Sequence, residues 1–357
     1  MTEPAPVADE GPAPGRLASG PVQRPVQRQM QRLIGWGLAL ITTVVVMVNQ
    51  RDVGIARDEV VYLQNGARYA SWWIGLVTLD HGITERSVTQ TFGGPSPTDN
   101  NREHPALMKT LFGLSERLLH ARLGVLDEVA AARLPSAVLA GVAVLLVYLL
   151  VLELWGLAEA IVAALVLMLL PRALFHAGLA CFDAPTMTLW FATVYAYWRG
   201  LDGRRWPWQA GVMWGLALAT KHTALLLPLA LGAHYLIVAW RAQHLGAGRG
   251  LAMLRRVIGY RWRVIVSLVV LGPLTLYLVW PWLWFDPVHH VRDWLAFHTG
   301  HVHYNYEYLG RNWNAPRFPW HVALVTTLFT VPVATLAAAI AGAGAWIADR
   351  AHHRRSG

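Results

Sequence analysis

Charge is scarce in this chain, and cysteine scarcer. Only 14% of its 357 residues are Asp, Glu, Lys or Arg, far fewer than the surface of a soluble domain of that length carries. The single cysteine, Cys181, excludes an internal disulfide and any cysteine-based metal cluster. No nucleotide-binding glycine loop and no internal repeat stands out. What fills the space is apolar: 55% of the residues, 18 of them tryptophan, with several runs near the roughly 20 residues that cross a bilayer as a helix. The sequence therefore reads as an all-α polytopic membrane protein. Its pI near 10 would fit a nucleic-acid partner, but the placement of the charges points to membrane orientation instead.

Taken in order, residues 1–32 are rich in Pro, Gly, Ala, Gln and Arg without an apolar period, which predicts a disordered basic tail. Residues 33–48 form a first span; the polar lead and the Asn49-Gln50-Arg51-Asp52 that follows lack a small-residue cleavage site, so an uncleaved anchor is expected. Further spans are expected at 134–152, 154–170, 184–198, 264–285 and 322–348. The stretch 209–240 would be roughly 48 Å long as one straight helix, too long for one crossing, so two helices hinged at Lys221 are predicted. That makes about eight spans in a transmembrane domain over 33–348, with long loops at 49–133 and 286–321 and a short basic tail at 349–357. In the first loop, Leu107, Leu111, Leu114 and Leu118 recur at helical spacing with Lys109, Glu116 and Arg117 off that face, which predicts an interfacial helix with its apolar side down. Residues 58–73 predict a second, with Tyr62, Tyr69, Trp72 and Trp73 as interfacial anchors; Trp280, Trp282, Trp284 and Trp320 read as an aromatic belt.

With the N-terminus inside, the inner segments (1–32, 153–159, 199–205, 241–263 and 349–357) hold 16 Lys+Arg against 7 Asp+Glu, and the outer ones 14 against 14. The whole excess of positive charge thus falls on short inner segments, as the positive-inside rule requires. Both termini are expected in the cytoplasm.

The same topology gathers Asp58, Glu59, Glu103, His104, Arg172, His176, Asp183 and Lys221 on the outer face, from separate loops. Ionisable groups at such depths are costly and are as a rule functional or paired. Each also has a plainer reading. Asp58 and Glu59 could cap a helix N-terminus, Glu103 could sit in a surface ion pair, and Asp183 could cap the span it precedes. Lys221, between two apolar helices, calls for an anion, phosphate or carboxylate. In the last loop, His298, His301 and His303 are spaced as a divalent metal site would need, but no helical HExxH accompanies them, and substrate contacts or solvated groups are the expected role. No metal is required.

Seven stretches then resemble one family: RDEVVYLQNGARY, NREHPALMKTL, AARLPSAVLAGVAVLLVYLL, FHAGLACFDAPTMTLWFATVYAY, GLALATKHTALLLP, NYEYLG and FPWHVALVTTLFTVP, in that order from residue 57 to 332. They are similar to glycosyltransferase family 39, the GT-C enzymes that include protein O-mannosyltransferases and lipid A aminoarabinose transferases. The resemblance implies transfer of a sugar from a polyprenyl-phosphate donor to a protein, lipid or glycan acceptor at the outer face of a bacterial inner membrane. It implies a carboxylate general base at Asp58, with Glu59 beside it, and donor-phosphate contacts from Lys221, Arg172 and His104. Substrate contacts are expected from Glu103, Asp183, His176, His301, His303 and Tyr308. Direct displacement by the acceptor would invert the anomeric centre; retention would need a second carboxylate poised as nucleophile. Two features depart from the family pattern. Pro105 is followed by Ala106 rather than a second proline, and the sequence reads as a short form lacking the C-terminal part. A transporter of lipid-linked sugar would place its ionisable groups near the bilayer midplane on several helices, and their clustering at one face disfavours it. A non-catalytic membrane protein that kept the same fold is the other alternative.

Overall fold

In the computed structural model of the protein, the described residues are 25–93, 101–203, 206–242, 251–300, 305–314 and 318–355. The chain is almost wholly helical: α1 (Pro25–Asn49), α2 (Arg57–Val77), α3 (Glu85–Val88), α4 (Leu107–Glu116), α5 (Glu128–Leu154), α6 (Leu157–Met168), α7 (Pro171–Ala177) and α8 (Asp183–Gly200). There follow α9 (Trp208–Leu218), α10 (Leu227–Ala242), α11 (Leu251–Tyr260), α12 (Trp262–Val266), α13 (Gly272–Val279), α14 (Pro287–Thr299), α15 (Val322–Thr330) and α16 (Val333–Arg355). A small antiparallel hairpin, β1 (Tyr306–Tyr308) and β2 (Arg311–Trp313), pairs Tyr308 with Arg311. The first helix starts at Pro25, inside the stretch whose composition reads as tail; proline suits a first helical turn because its missing N–H would be unsatisfied there anyway.

Among the described residues, four segments are long and apolar enough to span alone: Val26–Asp52, Glu128–Leu154, His222–Arg241 and Trp262–Val279. Two bent pairs bring the number to six. Leu157–Met168 and Pro171–Ala177 meet at 64°, and Val322–Thr330 and Val333–Asp349 at 116°. The two further spans expected, 184–198 and the first half of 209–240, correspond to α8 and α9, while the last apolar run is bent. Pro332 drives Val331 into extended backbone (φ −98°, ψ 134°) and stops α15 there. The last apolar run is therefore two helices at a sharp angle. α9 has only 11 residues, and α8 carries Asp183 and Arg199 at its ends. The hinge foreseen at Lys221 is present: α9 ends at Leu218, Lys221 is extended (φ −152°, ψ 138°), and the chain re-enters a helix from His222.

α1 packs along α5, α2 crosses α4, and α9 lies between α8 and α13. The α2–α4 crossing brings backbones into direct contact, because Gly66 and Gly113 face each other; a Cβ on Gly66 would lie 2.5 Å from the Lys109 carbonyl oxygen. This close approach fixes the facing of α4. Met108, Lys109, Phe112 and Gly113 are buried, while Leu111 and Leu118 point outward. Leu111 and Leu118 thus face away from the protein, as an interfacial helix with its apolar side to the lipid would have them, whereas Lys109, expected on the polar face, lies inside. A lipid-facing surface is the apolar one, so periodicity finds the stripe without saying which side the protein occupies. Tyr62, Tyr69, Trp72, Trp280 and Trp282 are likewise core residues rather than interfacial anchors. The second long loop is not structureless. Asp286 accepts a hydrogen bond from the His289 N–H (3.2 Å), Pro287 occupies the first turn of α14, and Trp294 is buried.

Candidate active site

The site is built where α2, α4, α7, α8 and the Lys221 hinge meet. Its foundation is a buried ion pair. Arg133, near the start of α5, donates from Nε to Glu59 Oε1 (2.8 Å) and from Nη2 to Glu59 Oε2 (2.7 Å). Its remaining donors reach Gln50 O and Oε1, Val53 O and Gly54 O at 2.8–3.2 Å. Glu59 also accepts from the backbone N–H groups of Ala56 (2.8 Å) and Ala180 (2.7 Å). Both side chains are essentially inaccessible, at 1% and 0%. Burial by itself pushes the Glu59 carboxyl up, but the Arg133 guanidinium and the two N–H donors outweigh it and hold the carboxyl below its usual value. With four donors on its two oxygens, Glu59 is bound into the frame, joining the 50–54 turn, α2, α5 and the 178–182 turn.

One residue earlier on α2, Asp58 is exposed. It stands in the first turn, with the positive end of the helix dipole behind it. Successive residues on a helix point about 100° apart, which separates the two carboxylates as expected. One turn further along, Tyr62 lies 4.1 Å between ring centroids from Phe182 and 6.0 Å from His104. Burial first, and then the charges of Asp58, Asp183 and Glu103, raise the Tyr62 phenol. Cys181 is pushed up to about 12 by burial and by Glu59, Asp183 and Asp58. Asp58 and Asp183 thus act on the same two side chains.

Asp183 begins α8 and accepts a hydrogen bond from Lys221 Nζ at 2.7 Å. The anion that Lys221 called for is therefore a carboxylate, and two of the three ammonium N–H bonds remain for another partner. His176 Nδ1 is 3.7 Å from Asp183 Oδ2, beyond hydrogen-bonding distance, and has no hydrogen-bond partner of its own. Arg172 sits four residues before His176 on α7, exposed and on the same helix face.

His104 closes the group. It packs against Tyr62, Phe182 and His298, and its Nδ1 has no hydrogen-bond partner among the described residues. Burial, with Lys109, His298, Lys221 and His222 around it, pulls its pKa down to about 3. The ring is therefore neutral across the physiological range, and it meets an anion as a dipole rather than as a charge. Its backbone is fixed by Lys109, wholly buried, whose ammonium donates to Asn101 O (2.6 Å), Asn101 Oδ1 (3.2 Å) and His104 O (2.8 Å). Asn101 in turn donates to Glu103 Oε1 (2.7 Å). The Glu103 carbonyl receives Trp294 Nε1 (2.9 Å) and lies 3.1 Å from His298 Nε2, which ties α14 to this turn. His298 stacks on His222 with ring centroids 3.6 Å apart.

Of the residues picked from sequence, Asp58, Glu59, Glu103, His104, His176, Asp183 and Lys221 come together, with Arg172 beside them. Tyr308 makes its contacts with His321 (2.7 Å) and Tyr306, neither of which belongs to the group. His301 and His303 lie outside the described residues, so the proposed metal triad with His298 is not described; among the described residues no group of three His, Cys, Asp or Glu is arranged to hold a metal. Sequence reading missed Arg133, Lys109, Phe182 and His222. For Arg133 a signal was there: it is the one charge inside AARLPSAV, at the start of a long apolar helix.

Fold and site together define a polytopic α-helical membrane protein with an ionisable cluster at one end of its bundle. Residues 117–248 match the family described as dolichyl-phosphate-mannose-protein mannosyltransferase. This match supports the resemblance to glycosyltransferase family 39, and with it a membrane glycosyltransferase of the GT-C type. It spans Arg133, Arg172, His176, Asp183 and Lys221, whereas Asp58, Glu59, Glu103 and His104 lie before it. No curated protein matches the chain.

Proposed function

We propose that the protein transfers a sugar from a polyprenyl-phosphate donor to an acceptor on the outer face of a bacterial inner membrane, with inversion. What carries the reading is the convergence of Asp58, His104, Asp183 and Lys221, from separate segments, around the Tyr62–Phe182 pair. Asp58, exposed and outside the Arg133 frame, takes the acceptor's proton as its oxygen attacks the anomeric carbon. The bond from that carbon to the phosphate oxygen breaks, and the polyprenyl phosphate leaves. Lys221 and Arg172 meet the phosphate with charge, and His104 with a neutral N–H. Asp183 keeps the ammonium aimed without using all its donors. Glu59, saturated by four hydrogen bonds, is a positioning residue and does not serve as the nucleophile that retention would need.

Lys221→Met tests the phosphate role. It keeps an apolar stem at the hinge and removes the cation, so donor binding and turnover should fall together, each at least tenfold. Asp183→Asn should do less, since the ammonium stays. The assay is transfer of a radiolabelled polyprenyl-phosphate sugar to native membrane extract, with donor binding measured apart. Unchanged donor binding in Lys221→Met would remove it from the phosphate site.

Orientation rests on the inner-side charge excess. In a Cys181→Ser background, Glu307→Cys should react with an impermeant thiol reagent from outside, and Arg255→Cys only after permeabilisation. The reverse pattern would put the site in the cytoplasm and end the proposal of an external acceptor.

A further inference from the structure

At the opposite end of the bundle lies a polar pocket that the transfer reaction does not use. α8 runs from Asp183 in the site to Gly200, about 27 Å along its axis at ~1.5 Å per residue. α9 starts its return at Trp208. Between them, and against the start of α12, is a cavity of about 240 Å³ lined by Gly200, Gly203, Pro207, Tyr260, Arg261 and Arg263 among others. Arg261 is held in place: its Nε donates to the Leu201 carbonyl (2.6 Å), its guanidinium lies 5.0 Å from the centre of the Tyr260 ring, and its backbone N–H donates to Tyr235 Oη (3.0 Å). Gly203, at φ +70°, makes room for it, since a Cβ there would come within 2.6 Å of Nη1. Arg263 lies within about 6 Å of both the Trp206 and Trp262 rings, which meet edge to face.

Arg133 and Arg199 each have a glutamate. Arg261 and Arg263, by contrast, are paired with no carboxylate among the described residues, and the pocket lining contains no acid. Two guanidinium forks over a polar hollow suit the paired oxygens of a phosphate. The exposed Trp206 and Trp262 put the pocket at headgroup level, where such aromatic rings concentrate. We infer that this pocket binds the phosphodiester headgroup of an anionic phospholipid in the leaflet opposite the transfer site. The lipid is a bound structural ligand, separate from the sugar donor.

The test uses the full chain, purified in detergent. Phosphatidylglycerol, phosphatidylcholine and inorganic phosphate are titrated separately, reading lipid adducts by native mass spectrometry and the apparent Tm. Phosphatidylglycerol should bind at least tenfold more tightly than phosphatidylcholine and raise Tm. Arg263→Gln, which breaks no hydrogen bond, should weaken phosphatidylglycerol at least tenfold and leave phosphatidylcholine unchanged. Arg261→Met with Arg263→Gln should abolish the preference; if that pair does not fold, the single variant still decides. Equal binding of the two lipids, or wild-type phosphatidylglycerol affinity in folded Arg263→Gln, overturns the site. Saturation by inorganic phosphate at the affinity of the lipid would identify a soluble phosphate as ligand and overturn the lipid assignment.

Discussion

Asp58→Asn is expected to lower sugar transfer by about 10²–10⁴-fold, the usual cost of removing a general base, while donor binding and folding stay close to wild type. The expectation follows from how the two neighbouring carboxylates are used. Asp58 is exposed in the first turn of α2. The substitution keeps its size and a side-chain oxygen suited to a helix start, so the loss of its charge there costs only about 0.3–1 kcal/mol of dipole interaction. What disappears is the site that takes a proton from the acceptor. A defect in turnover with unchanged donor binding would therefore read on chemistry. Transfer is measured with radiolabelled donor at saturation, and donor binding and Tm on the same preparation. Full activity in Asp58→Asn ends the assignment, and a loss of Tm instead of turnover makes Asp58 a structural cap.

How much of this could be read beforehand depends on which physical signal each residue leaves. The Lys221 hinge was legible because a cation in the middle of an overlong apolar run has few explanations. The grouping of Asp58, His104, Asp183 and Lys221 followed from the topology expected from the charge asymmetry. The facing of α4 was not legible. The outward leucines fit an interfacial helix, but the residue expected on its polar face, Lys109, is fully buried and organises the 101–104 turn. The bend in the last apolar run was written in Pro332 and overlooked, because the run's composition alone satisfies the length of a span. The neutral state of His104 is beyond any sequence signal, since it comes from Tyr62, Phe182 and His298 closing around the ring from three separate segments.

Arg133→Met should destabilise the protein by about 3–5 kcal/mol, the range for removing one partner of a buried ion pair. It leaves the Glu59 carboxylate buried with only two N–H donors, from Ala56 and Ala180, and it frees the Gln50, Val53 and Gly54 carbonyls that the guanidinium gathers. Glu59→Gln should also be costly, because its single amide oxygen can replace only one of the two acceptors for those N–H groups and the Arg133 charge is left buried without its carboxylate. The double variant should recover part of the loss, giving a coupling energy that neither single change predicts. Proton linkage supplies a second readout. The Glu59 carboxyl is held below the usual glutamate value in the folded protein, so its ionised form is favoured by folding. That contribution is present above about pH 4.5 and fades as the pH falls through the lower, folded-state value. Acid should therefore destabilise the wild type in that window, and Glu59→Gln should flatten the dependence there. The measurements are Tm and urea midpoints in detergent from pH 3 to 7, beside transfer activity at pH 7. If Glu59→Gln keeps wild-type stability and pH profile but loses transfer, the frame assignment fails and Glu59 moves into the chemistry.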